Sequence, residues 1–182
     1  MARHIQQLNI KAYRGIQDLK LKNLNHINIL TGDNNSGKTS VLEVLSGMRD
    51  PYSILAWTGM ILNRVSMVRK KLFFQELYNL FPVDAEEKMI GYQFEDDRGV
   101  VTGVTLKAII DEIQIPEQEM LRINNLTRTG NLKEADDMID TKYMKLMTYV
   151  NGEKTGEETM YDFQNHIQYV VEDKNIFLRT VY

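Results

Sequence analysis

Gly32-Asp33-Asn34-Asn35-Ser36-Gly37-Lys38-Thr39-Ser40 decides how this chain is read. It has the spacing G-x-x-x-x-G-K-[ST], and the chemistry of a phosphate cradle explains each fixed position. Two glycines let the backbone curl tightly, so that successive N–H groups converge on one anion. A lysine in the place of Lys38 reaches the β- and γ-phosphates of a nucleotide, and a hydroxyl in the place of Thr39 ligates Mg²⁺. The helix that follows turns its positive end toward the same anion. The motif carries weight only between a strand and a helix. Upstream, His26-Ile27-Asn28-Ile29-Leu30-Thr31 alternates and predicts a strand. Downstream, Thr39 through Leu45 has apolar residues at helical spacing, with Pro51 to stop the helix soon after.

Working outward, Leu8, Ile10 and Ala12 share one face of a strand over residues 5–12. Leu19 and Leu21 repeat the pattern after a turn near Arg14-Gly15. Residues 53–81 read as helical, from Ile54 and Trp57 through Leu80, with Ser53 as N-cap and Pro82 as the stop. Residues 88–115 turn β-like around an Asp97-Arg98-Gly99 turn. Residues 117–140 are polar and acidic and read as a loop with one or two short helices. Segments 143–150 and 159–171 flank Asn151-Gly152-Glu153-Lys154-Thr155-Gly156 as a second hairpin. The apolar run Ile176-Phe177-Leu178 reads as a buried strand. The fold class expected is α/β: a P-loop lobe with mixed and antiparallel sheet plus a helical segment, forming one lobe over residues 1–182.

Composition bounds the function. The 182 residues are 43% hydrophobic and 26% charged, with net charge −3. That balance fits a globular domain and makes no global electrostatic case for nucleic acid. There is no run of some 18 apolar residues to span a membrane and no signal-peptide stretch at the start. Cysteine is absent, which removes disulfides, thiolate metal sites and a Cys nucleophile. A cytoplasmic setting is expected. His4, His26 and His166 are too scattered in sequence for a zinc set.

The loop also carries a family accent. Asn34 and Ser36 make it G-x-N-x-S-G-K-T, followed by a hydrophobic pair and Glu43. Before it stands Ile5-Gln6-Gln7-Leu8-Asn9-Ile10-Lys11-Ala12-Tyr13-Arg14-Gly15-Ile16. Over residues 5–48 the chain resembles the N-terminus of RecF/SMC/OLD-type ATPases, the ABC-like ATPases of DNA maintenance and phage defence. The resemblance implies an ATP- and Mg²⁺-binding lobe. Gly32, Asn34, Asn35, Ser36, Gly37, Lys38, Thr39 and Ser40 would hold the nucleotide, and Arg14 would sit near its phosphates. It also implies that hydrolysis requires a signature sequence from a partner subunit, a downstream His and an acidic strand, and hence a homodimer.

Those partners are sought in the rest of the chain. Leu45-Ser46-Gly47-Met48 has the look of a signature, but it lies on the loop's own helix and cannot act as one. Ala108-Ile109-Ile110-Asp111-Glu112 has the form of a Walker B strand. Asp111 would then hold Mg²⁺ through water and Glu112 would orient the attacking water. Against it, Lys107 interrupts the apolar run that a central parallel strand should have, and the segment follows a hairpin. Arg64, Arg69, Lys70 and Lys71 form a basic cluster that suits either a DNA backbone or a solvated helix face. Glu134, Asp136, Asp137 and Asp140 lack the spacing of a calcium loop.

Three readings follow. In the first, the chain is the ATP-binding part of a longer RecF/SMC/OLD-like ATPase whose C-terminal half completes the site. In the second, it is a self-contained small P-loop NTPase using Asp111 and Glu112. In the third, it is a non-catalytic assembly or DNA-binding module with a vestigial loop.

Overall fold

The computed structural model describes residues 4–54, 56–57, 73–83, 87–116, 138–163 and 166–170. Its scaffold is a seven-stranded sheet in the order β2-β1-β3-β4-β5-β6-β7. The strands are β1 (Ile5–Tyr13), β2 (Ile16–Leu21), β3 (Lys88–Asp96), β4 (Val101–Pro116), β5 (Met138–Val150), β6 (Glu153–Phe163) and β7 (His166–Val170). Helix α1 (Lys38–Gly47) follows the phosphate-loop motif, and a short helix α2 (Phe73–Tyr78) precedes β3.

Every strand pair among the described residues is antiparallel. The expected mixed sheet is therefore corrected: short turns join β1 to β2, β3 to β4 and β5 to β6 and impose antiparallel pairing there, and the β1–β3, β4–β5 and β6–β7 pairs are antiparallel as well. Arg14-Gly15 turns β1 into β2, with Arg14 at φ 53°. Asp96 organises the β3–β4 turn. Its Oδ1 accepts the backbone N–H groups of Arg98 and Val100, and its Oδ2 pairs with the Arg98 guanidinium at 2.9 Å. That guanidinium holds the Asp96 carboxyl below its usual range. Asn151-Gly152 joins β5 and β6 with both residues at positive φ, 50° and 86°, the pattern of the hairpin turn whose twist suits the flanking strands.

Register explains the core. Ile10 pairs with Tyr92, Tyr92 with Val104, and Ile90 with Leu106, so these side chains share one face. Met144, Leu146 and Met160 continue that face across β5 and β6. Against it pack Val41, Val44 and Met48 from α1, with Trp57, Leu77, Leu80 and Phe81 from the stretch expected to be helical. Trp57 is 1% exposed, with its ring 5.7 Å from that of Tyr92.

The expected helix over 53–81 is seen at Ile54, at residues 56–57 and in α2; its middle lies outside the described residues. The acidic stretch up to residue 137, the basic cluster Arg64, Arg69, Lys70 and Lys71, and the run 176–178 lie outside them as well. The expected loop over 151–156 is a two-residue turn, Asn151-Gly152, with β6 already under way at Glu153; the expected β segment at 159–171 comprises the end of β6 and β7.

One expectation fails next to the motif. Residues 26–31 form no strand. Their side chains stand in solvent, Ile27 at 84% and Ile29 at 83% exposure. The cause is local. The Asn28 side chain accepts the Asn25 N–H at 2.9 Å and donates to the Asn25 carbonyl at 2.6 Å, and the Asn25 side chain accepts the His26 N–H. Asparagine side chains of this kind offer the backbone a turn in place of a ladder, and among the described residues no strand lies alongside to compete.

Candidate functional site

The phosphate loop is built around its own lysine. Lys38 Nζ donates to the Gly32 carbonyl at 2.7 Å, to the Asp33 carbonyl at 2.6 Å and to Ser36 Oγ at 3.3 Å. The ring so closed spans the motif from first glycine to lysine. Two positions in it demand glycine. Gly32 sits at φ +146°, and a Cβ there would lie 2.9 Å from Ser36 Oγ. Gly37 sits at φ +85° and packs toward Ile16 of β2. Asn35 takes the left-handed conformation at φ 66°, which asparagine tolerates. Asn34 completes the turn and stands exposed.

Helix α1 starts at Lys38 with Gly37 as its N-cap and no side-chain cap. The first N–H groups of a helix have no partner within it, so this end retains donors and a positive partial charge for an anion. Thr39, on the first turn, is exposed and makes no hydrogen bond to the described residues; Ser40 follows it, half-buried. The chemistry of this donor set fits a nucleotide phosphate. The three ammonium protons of Lys38 rest on neutral acceptors, which a phosphate outbids because a charge-assisted hydrogen bond is about twice as strong. The Thr39 hydroxyl, free and hard, fits Mg²⁺.

The β1–β2 turn leans on this helix. Glu43, one turn along α1 from Thr39, accepts a hydrogen bond from the Tyr13 hydroxyl at 3.0 Å on Oε2. The same oxygen lies 3.3 Å from Arg14 Nε. Distance makes this an ion pair, yet the Nε–H is not aimed at the carboxylate, and Arg14 Nε stays a buried donor without an aligned acceptor. The Arg14 guanidinium lies 5.7 Å from the centre of the Tyr13 ring, and its backbone N–H donates to the Leu80 carbonyl at 2.8 Å. Burial pushes the Tyr13 hydroxyl up to about 12, with a lowering hydrogen-bond contribution from Arg14 and a raising charge contribution from Glu43. Tyr13 therefore stays a neutral donor at any working pH.

Asp111 and Glu112 are placed elsewhere. They lie on β4 past Ala108, the last residue paired with β3, where β4 continues as a ribbon with β5. Asp111 Oδ1 accepts the Glu112 N–H at 2.8 Å, and Glu112 faces Lys142 across the ladder at 3.5 Å. Both are exposed, and neither hydrogen-bonds or pairs with Lys38 or Thr39. The structure thus joins Arg14 to the loop helix and leaves the two carboxylates on a separate ribbon.

Sequence reasoning missed two contacts. Glu43 was legible as a family residue, but its bond to Tyr13 depends on the β1–β2 turn packing on α1. The rings of His4 and His26 lie 4.5 Å apart, and one His4 ring nitrogen, Nε2, is 2.9 Å from the Leu24 carbonyl. Distant in sequence, they meet because the chain after β2 folds back along β1. No group of three or more metal-ligating side chains occurs among the described residues.

With this loop, helix and sheet in view, comparison with known proteins adds the lineage. A family model described as "AAA ATPase domain" matches residues 4–180. The chain belongs to that family. As an AAA ATPase domain it is an ATP-binding, nucleotide-binding module, and such domains usually use Mg²⁺ with ATP. The chain is also similar to an uncharacterized protein, MJECL10, of Methanocaldococcus jannaschii. The two are 33% identical over 93 residues, which are 50% of this chain and 41% of the relative. The chain thus matches less than half the length of that protein. No solved structure matches. Among the described residues, no helix is long and apolar enough to cross a membrane.

Proposed function

We propose that this AAA domain is the Mg·ATP-binding lobe of a RecF/SMC/OLD-like, ABC-like ATPase, serving DNA maintenance or phage defence. The observation that carries the reading is the closed ring of Lys38 on Gly32, Asp33 and Ser36 at the uncapped start of α1. Lys38 would neutralise charge on the transferred phosphoryl group, the backbone of Gly32 through Gly37 would cradle the phosphates, Thr39 would hold the metal, and Arg14 would approach from the β1–β2 turn. Mg²⁺, when bound, offsets the negative charge of the β- and γ-oxygens.

Hydrolysis, in this reading, requires a second half of the ATPase and a homodimer. Two observations support that division. The apolar residues Ile27 and Ile29, which lead into the loop, stand exposed. Asp111 and Glu112, the in-chain carboxylates with a Walker B form, are engaged with β4 and β5 instead. A self-contained NTPase using them predicts turnover that Glu112→Gln abolishes. The assembly reading with a vestigial loop predicts no nucleotide binding.

The test is a Mg·ATP titration of wild type against Lys38→Ala. The expected loss is about 100-fold, the scale of a charged hydrogen-bond set at a phosphate. Equal affinity in the two proteins would sink the assignment.

A further inference from the structure

We infer that Glu43 is a positioning residue for the nucleotide site: through its Oε2 it holds Arg14 against helix α1, with the Tyr13 hydroxyl as the second contact on the same oxygen. The inference rests on the loop being a nucleotide site, and it assigns a task to a carboxylate that a phosphate cradle would otherwise repel. An acid one turn from the anion-binding end of a helix is unfavourable for anion binding unless it serves a cation.

The geometry supplies that cation. Arg14 is 17% exposed and Glu43 11% exposed at their side chains, so the pair sits where water screens it little. The carboxylate meets Arg14 at Nε, the lateral edge of the guanidinium. The Tyr13 hydroxyl is the guanidinium's second polar neighbour, and the Tyr13 ring lies 5.7 Å from the guanidinium carbon. A half-buried guanidinium is suited to a phosphate, which its planar donor set can grip in two places. Fixing the side chain removes rotamer freedom before the ligand arrives.

Two contacts hold the turn against the start of α1, and a third ties it to the segment after α2. Gly37 packs toward Ile16, Tyr13 bonds to Glu43, and the Arg14 N–H is tied to Leu80. Arg14 adopts φ 53°, a conformation a non-glycine residue takes at a cost. The misaligned Nε–H is of the kind that tightens on ligand binding, as contacts in ligand-free sites often do.

The experiment is a double-mutant cycle on Mg·ATP affinity in the full chain. Glu43→Gln is expected to weaken binding about tenfold, a hydrogen bond to a charged group. Arg14→Ala is expected to do the same, and the double variant to be no weaker than Arg14→Ala alone. A structural role for Glu43 would lower affinity by the same factor whether or not Arg14 is present, and that additivity would overturn the inference. If Glu43→Gln does not fold, Tyr13→Phe replaces it in the cycle. It should weaken binding a few-fold with Arg14 present and leave it unchanged in the Arg14→Ala background; equal effects in both would overturn the inference. Lys38→Ala separates the two levels: unchanged ATP affinity there contradicts the site itself, whereas its loss combined with additive Glu43 effects contradicts the positioning role alone.

Discussion

The sheet from β1 to β6 and the arm over residues 22–37 that carries the phosphate loop obey different rules. In the sheet, apolar side chains alternate onto one buried face. In the arm, Ile27 and Ile29 are as apolar as any core residue and yet stand more than four-fifths exposed. Composition does not separate the two regions, since both contain alternating apolar residues. Partners do: a strand is stabilised by cross-strand pairs and by burial of one face, and the described residues provide neither beside 26–31. The scaffold is complete where the loop is anchored, at α1, and open where the loop begins.

The sharpest way to break this contrast is a core truncation. Leu106→Ala, at 0% exposure between β3 and β5, is expected to cost about 3 kcal/mol, within the usual range for a buried leucine. Urea denaturation measures it; a cost below about 1 kcal/mol would mean that the sheet is not the stability core.

Next in size is the buried acid of the scaffold. Glu158 lies on β6 opposite Leu146, its Oε2 has no hydrogen-bond partner, and burial pushes its carboxyl up to about 7 from 4.5. A folded value above the unfolded one means that its contribution is fully favourable below pH 4.5 and is lost as pH rises through 7. Glu158→Gln should therefore raise the melting temperature at pH 8 by about 2–4 °C and leave it nearly unchanged at pH 4.5. An equal rise at both values would place the effect outside titration.

An effect of comparable size and opposite sign is expected at the β5–β6 turn. Gly152 has φ 86° and open space around its would-be Cβ, so Gly152→Ala meets backbone strain alone, about 1 kcal/mol by denaturation. The smallest effect belongs to the arm. Ile29→Ala should change stability by less than about 0.5 kcal/mol, as for other exposed sites. A core-sized loss there would erase the distinction between the two regions.

How much of this was legible follows from the range of the forces involved. The β3–β4 and β5–β6 hairpins were readable because both halves and the turn chemistry, Asp97-Arg98-Gly99 and Asn151-Gly152, lie within one stretch of chain. The start of α1 was readable from the glycines and the lysine that its loop requires. Sheet order was not: Ile10 pairs with Tyr92 across an intervening loop, helix and connecting segment, and no local pattern announces that partner. The strand expected at 26–31 was misread because alternation reports a capacity for pairing, and Asn25 and Asn28 settle the backbone locally instead. Asp111-Glu112 had the right composition for an acidic strand end, but an antiparallel ribbon takes it to Lys142.

Amide hydrogen exchange with and without saturating Mg·ATP tests most directly the claim that the arm is an open nucleotide loop anchored on a finished scaffold. The account predicts that amides of Gly32 through Val41 become protected on adding Mg·ATP, while those of β3 through β6 exchange at unchanged rates. Unchanged exchange across Gly32–Val41 at saturating nucleotide, or protection gained instead in β3–β6, would contradict it.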